Sequence, residues 1–191
     1  IYDIAFNNQD VWIASRGGLA KFDRINNFTT CFNAANSPLH SNEIREIEFD
    51  VYGNLWIAMN YGDLVKYDGT TWEHFVTLNG VDTLVGIINI LTSPAGDVYV
   101  VSGYNGSLKG LYKYDGSSFN NINVPMTQWW AFGIDTLGSI YCSGSAPQLA
   151  KYDGNNWTVL DTLISSLPGS TYDILIGKNN NLCAIMIDSG L

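Results

Sequence analysis

The sequence predicts an all-β fold, a β-propeller built from four-stranded antiparallel blades, because two motifs recur along it in step. The first motif reads Lys-Tyr-Asp-Gly, and its copies are Lys66–Gly69, Lys113–Gly116 and Lys151–Gly154, with a divergent copy at Lys21–Arg24. The second motif is a short apolar run whose central residue stands at position 12, 56, 99, 141 or 183. These positions are 42–44 residues apart, a period typical of propeller blades and other repeat arrays.

The second repeat shows how four strands fit into one period. We predict strands at Ile44–Phe49, Leu55–Met59, Leu64–Tyr67 and Thr71–Thr77. Asp, Gly and Asn residues fill the segments between them, and Asp-Gly between short apolar runs is a strong hairpin signal. A helical repeat is excluded because no window keeps the i, i+3, i+4, i+7 apolar spacing of a helix. Four antiparallel strands per repeat are the make-up of a propeller blade.

The repeats divide the chain into blades of one propeller segment that covers residues 1–191. We predict blades at about 1–43, 44–85, 86–128 and 129–170, and a partial fifth blade at 171–191. About four and a half blades do not close a ring, and closure is how a propeller protects its edge strands. We therefore expect the chain to be part of a larger ring. The alternative is that the missing strands come from elsewhere, by pairing with another chain or by homo-oligomerisation.

Composition excludes several classes of partner. The 191 residues carry a net charge of −9, and nucleic acids and anionic lipid surfaces both need clustered Lys and Arg. No apolar run approaches the ~18–20 residues of a membrane span, so we expect no membrane insertion by this segment. The three cysteines match neither a disulfide framework nor a zinc site. Cys142 and Cys183 stand in apolar strand-like runs, and we predict that both are buried.

The second repeat resembles the two-component regulator propeller repeat of bacteria. The matching segments are Ser37–Ile44, Asp50–Ala58 and Leu64–Gly69. The resemblance covers essentially the whole chain at blade spacing and is weakest in the third and fifth repeats. It implies a ring of several blades in a sensor ectodomain or a secreted protein of Bacteroidetes-like bacteria, and in the sensor proteins the ectodomain binds carbohydrate fragments. We expect the secreted form, in an extracellular or periplasmic location.

The loops of a blade fall into two sets, which lie on opposite faces of a ring. One set is short and uniform, and we call its face the regular face. Its Asp and Gly residues suit turns, in which side chains bond to the backbone and φ is positive. We predict a structural role in these turns for Asp50, Gly53, Asp68, Gly69, Asp115, Gly116, Asp153 and Gly154.

The other set joins strands two to three, and strand four to the next blade, and its loops differ from repeat to repeat. We call this side the irregular face, and variable loops on a rigid scaffold are where binding sites usually lie. Aromatic side chains beside Asn, Asp and Arg suit a carbohydrate, whose ring face stacks while its hydroxyls form hydrogen bonds; a protein or peptide ligand is the other possibility. The candidate ligand-binding residues are Arg16, Tyr61, Asp63, Tyr104, Asn105, Lys109, Trp129 and Gln148.

Metal and catalytic signals are weak. Asp3, Glu46 and Asp173 occupy one matched position in the first strands, where carboxylates could hold a cation or simply be hydrated. We expect no cofactor. The two histidines, His40 and His74, show no catalytic partner pattern. The sequence therefore predicts a non-catalytic binding module; the alternatives are a structural component of a surface or filament assembly and, less favoured, a polysaccharide lyase or glycosidase.

Overall fold

A computed structural model describes residues 1–60, 62–78, 82–83, 86–103, 110–126, 129–144, 149–160, 170–177 and 179–187, without the side chains of 78, 82–83, 130, 170–173 and 184–187. All regular secondary structure in these ranges is β-strand. The chain divides into two compact units. The first comprises Ile1–Thr92 and Gly96–Ile122, and the second comprises Ser93–Ala95 and Asn123–Leu191.

The first unit contains three four-stranded antiparallel sheets, each with its strands in chain order. The first sheet consists of β1 (Asp3–Phe6), β2 (Asp10–Ser15), β3 (Gly18–Asp23) and β4 (Phe28–Phe32). The second consists of β5 (Ile44–Phe49), β6 (Leu55–Met59), β7 (Leu64–Tyr67) and β8 (Trp72–Phe75). A two-stranded ribbon follows, formed by β9 (Thr77–Leu78) and β10 (Asp82–Thr83). The third sheet consists of β11 (Ile87–Thr92), β12 (Val98–Ser102), β13 (Gly110–Tyr114) and β14 (Phe119–Ile122).

The second unit continues the same pattern. Its four-stranded sheet consists of β15 (Trp129–Ile134), β16 (Ile140–Gly144), β17 (Leu149–Tyr152) and β18 (Trp157–Val159). Its last sheet has two strands in the described residues, β19 (Ser170–Ile176) and β20 (Leu182–Ile187). Besides the ribbon, the described residues form five antiparallel sheets, four of them with four strands. Among the described residues, no helix is long and apolar enough to cross a membrane.

The core of the first unit lies between neighbouring sheets and is rich in aromatic rings. Trp56 in β6 is 1% exposed and stacks on Phe75 of its own sheet at 5.5 Å between ring centroids. The edge of the third sheet's Tyr114 meets the same indole at 5.1 Å. Trp12 in β2 makes the corresponding contact between the first two sheets. It packs against Phe32 of its own sheet and Tyr67 of the second sheet. In the first unit, the tryptophan of the second motif therefore packs between neighbouring sheets.

Each part of the Lys-Tyr-Asp-Gly motif has a structural function on the regular face. The Asp68 side chain accepts hydrogen bonds from the backbone N–H groups of Thr70 and Thr71 at 2.8 and 2.7 Å. These bonds lower the pKa of Asp68 to about 2. The Tyr67 hydroxyl donates to the carbonyl of Gly69, whose positive φ of 100° closes the turn. Asp115 and Asp153 cap their turns in the same way, and the same kinds of hydrogen bond lower the pKa of each.

The lysine of the motif pairs with the aromatic residue of the second motif. Trp56 and Lys66 are register partners, and the ammonium group lies 5.8 Å from the indole centroid. Lys113 and Tyr99 repeat this contact in the third sheet at 5.6 Å. The two sequence motifs therefore form a cation–π pair in each of the four-stranded sheets.

The two cysteines in strands differ in their burial. Cys142 is fully buried in β16, and burial raises its pKa to about 12. The predicted burial of Cys183 is wrong, since this residue is exposed in β20 opposite Leu175, which is also exposed. The reason is that, among the described residues, no further strand or sheet covers this side of the pair.

Candidate functional site

Loops of the irregular face meet in the first unit around one glutamate. We define the glutamate cluster as Tyr2, Arg16, Glu43, Arg45 and Asn60. Arg45 Nη2 lies 2.7 Å from Glu43 Oε1, and the Tyr2 hydroxyl donates to the same oxygen at 3.2 Å. Asn60 Nδ2 donates to Glu43 Oε2 at 3.0 Å, while Asn60 Oδ1 accepts from Arg45 Nε at 3.1 Å. Arg16 approaches Glu43 Oε1 to 3.9 Å.

The connection from β4 to β5 places Glu43 through its own hydrogen bonds. Ala34 N–H donates to Asn42 Oδ1 at 2.8 Å, and the Ser37 hydroxyl donates to the Asn33 carbonyl at 2.6 Å. Leu39 anchors the middle of the connection in the core. A backbone hydrogen bond of 3.0 Å from Asn60 N–H to the Glu43 carbonyl then fixes the end of β6 beside it. The cluster therefore rests on a well-bonded backbone.

The glutamate cluster combines groups that suit a polar ligand. The Arg16 side chain is 81% exposed and Tyr2 is also exposed, whereas Glu43 is largely covered. The guanidinium carbon of Arg45 lies 4.4 Å from the centroid of the Tyr2 ring. Charged donors, a carboxylate acceptor and an aromatic ring thus share one partly exposed surface.

The two histidines of the chain meet at a second place on the irregular face. We define the histidine cluster as His40, Asp63 and His74. Asp63 Oδ2 lies 2.6 Å from His40 Nδ1 and 3.2 Å from His74 Nδ1. The imidazole rings stack with centroids 4.3 Å apart and planes 24° apart. Asp63 is buried, His74 is half-buried and His40 is exposed.

Three elements distant in sequence position the histidine cluster. His40 belongs to the β4–β5 connection next to the buried Leu39, and His74 lies in β8 opposite Val65 of β7. Asp63 directly precedes β7, and its carbonyl accepts a 2.9 Å hydrogen bond from Met59 N–H. The sequence did not predict this cluster, because its three residues come together only through the fold. The available signal was that both of the chain's histidines fall in or beside loops of one face.

The structure places the predicted ligand-binding residues unevenly. Arg16 belongs to the glutamate cluster and Asp63 to the histidine cluster. Trp129 is 4% exposed and meets Phe132 edge-on at 5.1 Å. It stands opposite Gly144, and its predicted role in ligand binding stays a prediction, now for a buried ring. The remaining candidates lie outside the described residues: Tyr61, Tyr104, Asn105, Lys109 and Gln148.

The weak metal candidates are equivalent in register, and the side chains of Asp3 and Glu46 form contacts between neighbouring sheets. Asp3, Glu46 and Asp173 pair with Ala14, Ala58 and Ile185 in their respective sheets. Asp3 Oδ2 accepts a 2.8 Å hydrogen bond from the backbone N–H of Ile47 in the next sheet. Glu46 Oε1 accepts from the Asn89 amide at 3.4 Å. The side chain of Asp173 lies outside the description.

A groove of about 510 Å³ opens on the regular face of the first unit, beside Asp50, Lys66 and Lys113. Its polar groups already have partners. Asp50 Oδ2 accepts hydrogen bonds from the Trp56 indole at 3.0 Å and the Asn54 amide at 2.8 Å. Lys113 forms a 2.8 Å ion pair with Asp97. These contacts connect the groove residues to the turns of the regular face.

No protein-family model and no curated protein matches the chain. Solved structures do match it. The extracellular domain of a hybrid two-component system from B. thetaiotaomicron is 19% identical with a TM-score of 0.75, and the match covers 95% of this chain and 26% of that one. Virginiamycin B lyase from Staphylococcus aureus, a propeller, is 14% identical with a TM-score of 0.73, and 97% and 63% of the two chains are covered.

The chain has the β-propeller fold. This result confirms the predicted fold class. A third match is PorZ, a surface component of the type-IX secretion system of Porphyromonas gingivalis, at 17% identity and a TM-score of 0.67, over 96% of this chain and 30% of that one. The two-component ectodomain among these neighbours agrees with the resemblance found in the sequence. The chain spans about a quarter of that ectodomain's length and less than two thirds of the lyase's.

Proposed function

We propose that this propeller is a non-catalytic binding module of an extracellular or periplasmic protein, and that its irregular face binds carbohydrate through the glutamate cluster. The observation that carries the proposal is the convergence of Arg16, Arg45 and Tyr2 on Glu43, at the partly exposed end of the first two sheets. The fold by itself does not decide function, because propellers serve many.

The groups in the glutamate cluster match the chemistry of a sugar. A sugar hydroxyl both donates and accepts hydrogen bonds, so it can bond to the Glu43 carboxylate and to a guanidinium group at once. The exposed Tyr2 ring offers an apolar surface to the C–H face of a pyranose. Because Arg45, Tyr2 and Asn60 already bond to Glu43, binding would order few further side chains and so lose little entropy.

The proposed location outside the cytoplasm is supported by the solved structures that the chain resembles. The B. thetaiotaomicron neighbour is an extracellular domain, and PorZ is a bacterial surface component. Both support a place outside the cytoplasm for this propeller. The lyase neighbour is an enzyme, but neither defined cluster has the two well-separated carboxylates of a glycosidase.

We expect a glycan array to yield at least one bound carbohydrate, and Arg45→Ala to weaken its binding by about tenfold or more. Loss of a charged hydrogen bond costs about 1.5–3 kcal/mol, which corresponds to this factor. Isothermal titration of the purified chain measures the change. Arg24→Ala is the matched control, because Arg24 donates to the Asn7 and Asn8 carbonyls in turns of the regular face. Equal losses in the two variants, or binding of peptides and no glycan, would contradict the carbohydrate assignment.

A second candidate function, a structural part of a surface assembly, is favoured by apolar side chains on the first sheet. Ile4 is exposed and Phe6 is 72% exposed on the same side of β1. Such residues suit packing against another β-sheet. Light scattering on the protein sample used for the glycan array measures its oligomeric state and so separates the two candidate functions. A glycan-binding monomer supports the binding module, whereas an assembled form that binds no glycan supports the structural role.

A further inference from the structure

We propose that His40, Asp63 and His74 form a binding site for a divalent transition-metal ion. The site is separate from the glutamate cluster, so it stands whether or not that cluster binds a carbohydrate. Two imidazole nitrogens and a carboxylate oxygen from three separate elements lie within 4.8 Å of one another. Three protein ligands of this kind leave at least one coordination position for water or another ligand.

The distances between the ligand atoms fit a small metal ion. Bond lengths of about 2.0–2.2 Å in a tetrahedral zinc site place neighbouring ligand atoms roughly 3.4 Å apart. Asp63 Oδ2 is 3.2 Å from His74 Nδ1 and 2.6 Å from His40 Nδ1. A small rotation of the exposed His40 side chain opens the shorter distance. Both histidines already direct Nδ1 at the carboxylate, and Nδ1 is therefore the ligand atom of each.

The buried carboxylate of Asp63 supplies an independent observation. Asp63 is 8% exposed, and Oδ1 is buried without a hydrogen-bond partner in the described part of the chain. Burying a charged oxygen without a partner is costly. The two imidazoles contact only Oδ2 and therefore do not compensate Oδ1. A cation bound by the carboxylate would offset the cost of burying its charge.

The set of ligand atoms selects the class of metal. Ca²⁺ and Mg²⁺ prefer sites made entirely of oxygen atoms. Imidazole favours Zn²⁺, Cu²⁺, Ni²⁺ and Fe²⁺, and a carboxylate is compatible with each of them. We therefore infer a transition-metal ion, and Zn²⁺ and Co²⁺ are suitable probes. The bound ion would also tie the β4–β5 connection to the second sheet, because His40 lies on the former and Asp63 and His74 on the latter.

The test is titration of the chelator-treated full chain with Zn²⁺ and Co²⁺. We expect one ion per chain, a cobalt spectrum without a thiolate band, and a rise in melting temperature with Zn²⁺. Loss of a hydrogen-bond partner of a metal ligand typically costs 10–100-fold in affinity, so loss of a ligand in His40→Ala should cost at least about tenfold. Affinity should also fall as the pH is lowered, because protons compete for the imidazoles.

His40→Ala is the primary variant because His40 is exposed and its replacement leaves the core intact. His74→Gln gives a second ligand variant that preserves side-chain size. Glu73→Gln is the matched control, since Glu73 is the exposed carboxylate next to His74 in β8. Unchanged affinity in His40→Ala, an equal loss in Glu73→Gln, a thiolate band from Cys31 or Cys183, or no binding by the native chain would each overturn the proposal.

Discussion

Trp56→Ala should lower the free energy of unfolding by about 3–5 kcal/mol, the range for large aromatic residues removed from a core. The indole is 1% exposed and contacts Phe75, Tyr114 and Phe119. Its loss would leave a cavity between the second and third sheets. It would also remove the 3.0 Å hydrogen bond from the indole to Asp50. Urea denaturation followed by circular dichroism measures the change.

Two variants control this experiment. Trp72→Ala removes a half-buried indole of the same sheet, and we expect a smaller loss than for Trp56→Ala. Trp56→Phe keeps an aromatic ring but removes the donor to Asp50, so its effect should be intermediate. Equal effects of the two alanine variants would contradict the expectation that the fully buried indole of Trp56 stabilises the fold more than the half-buried indole of Trp72.

The second large effect concerns pH and Glu48. Burial raises the pKa of Glu48 to about 7 from an ordinary value of 4.5, with the charge of Asp3 adding to the rise and a hydrogen bond from Thr92 opposing it. The folded protein therefore binds this proton more tightly than the unfolded chain does. The stabilising effect is complete below pH 4.5 and disappears as the pH rises to about 7. A rise of this size corresponds to roughly 3 kcal/mol.

Glu48→Gln isolates this contribution because the amide does not titrate. The free energy of unfolding of Glu48→Gln minus that of the native chain should increase by roughly 3 kcal/mol between pH 4.5 and pH 8. Chemical denaturation at several pH values measures the difference. The turn residue Asp68 does not interfere, since its lowered pKa acts between about 2 and 3.8, below this window. A constant difference across the window would show that Glu48 has an ordinary pKa.

Local patterns were enough to predict most of the fold. The strands Ile44–Phe49, Leu55–Met59 and Leu64–Tyr67 are confirmed to the residue, because alternation and turn residues are properties of neighbouring positions. The fourth strand of this blade was predicted over Thr71–Thr77, but it ends at Phe75. Thr77 pairs instead with Thr83 in a separate ribbon. Pairing with a later segment thus determined the boundary, and the sequence pattern did not contain that information.

The candidate site was less predictable, for a physical reason. Sequence variation among the repeats pointed to the irregular face, and Arg16 and Asp63 both lie in clusters there. Their partners come from other loops. Glu43 and His40 follow the first sheet, whereas Asn60 and His74 belong to the second. Such contacts depend on how blades pack, and period and composition do not report that packing.

NMR can locate the carbohydrate site on the chain directly. An amide ¹H–¹⁵N titration of the chain with the best ligand from the array reports which backbone groups respond. We expect the largest shifts at Tyr2, Arg16, Glu43, Arg45 and Asn60, with little change in the turns at Asp68, Asp115 and Asp153. Large shifts confined to those turns, with the glutamate cluster unchanged, would contradict the claim that the irregular face is the binding face.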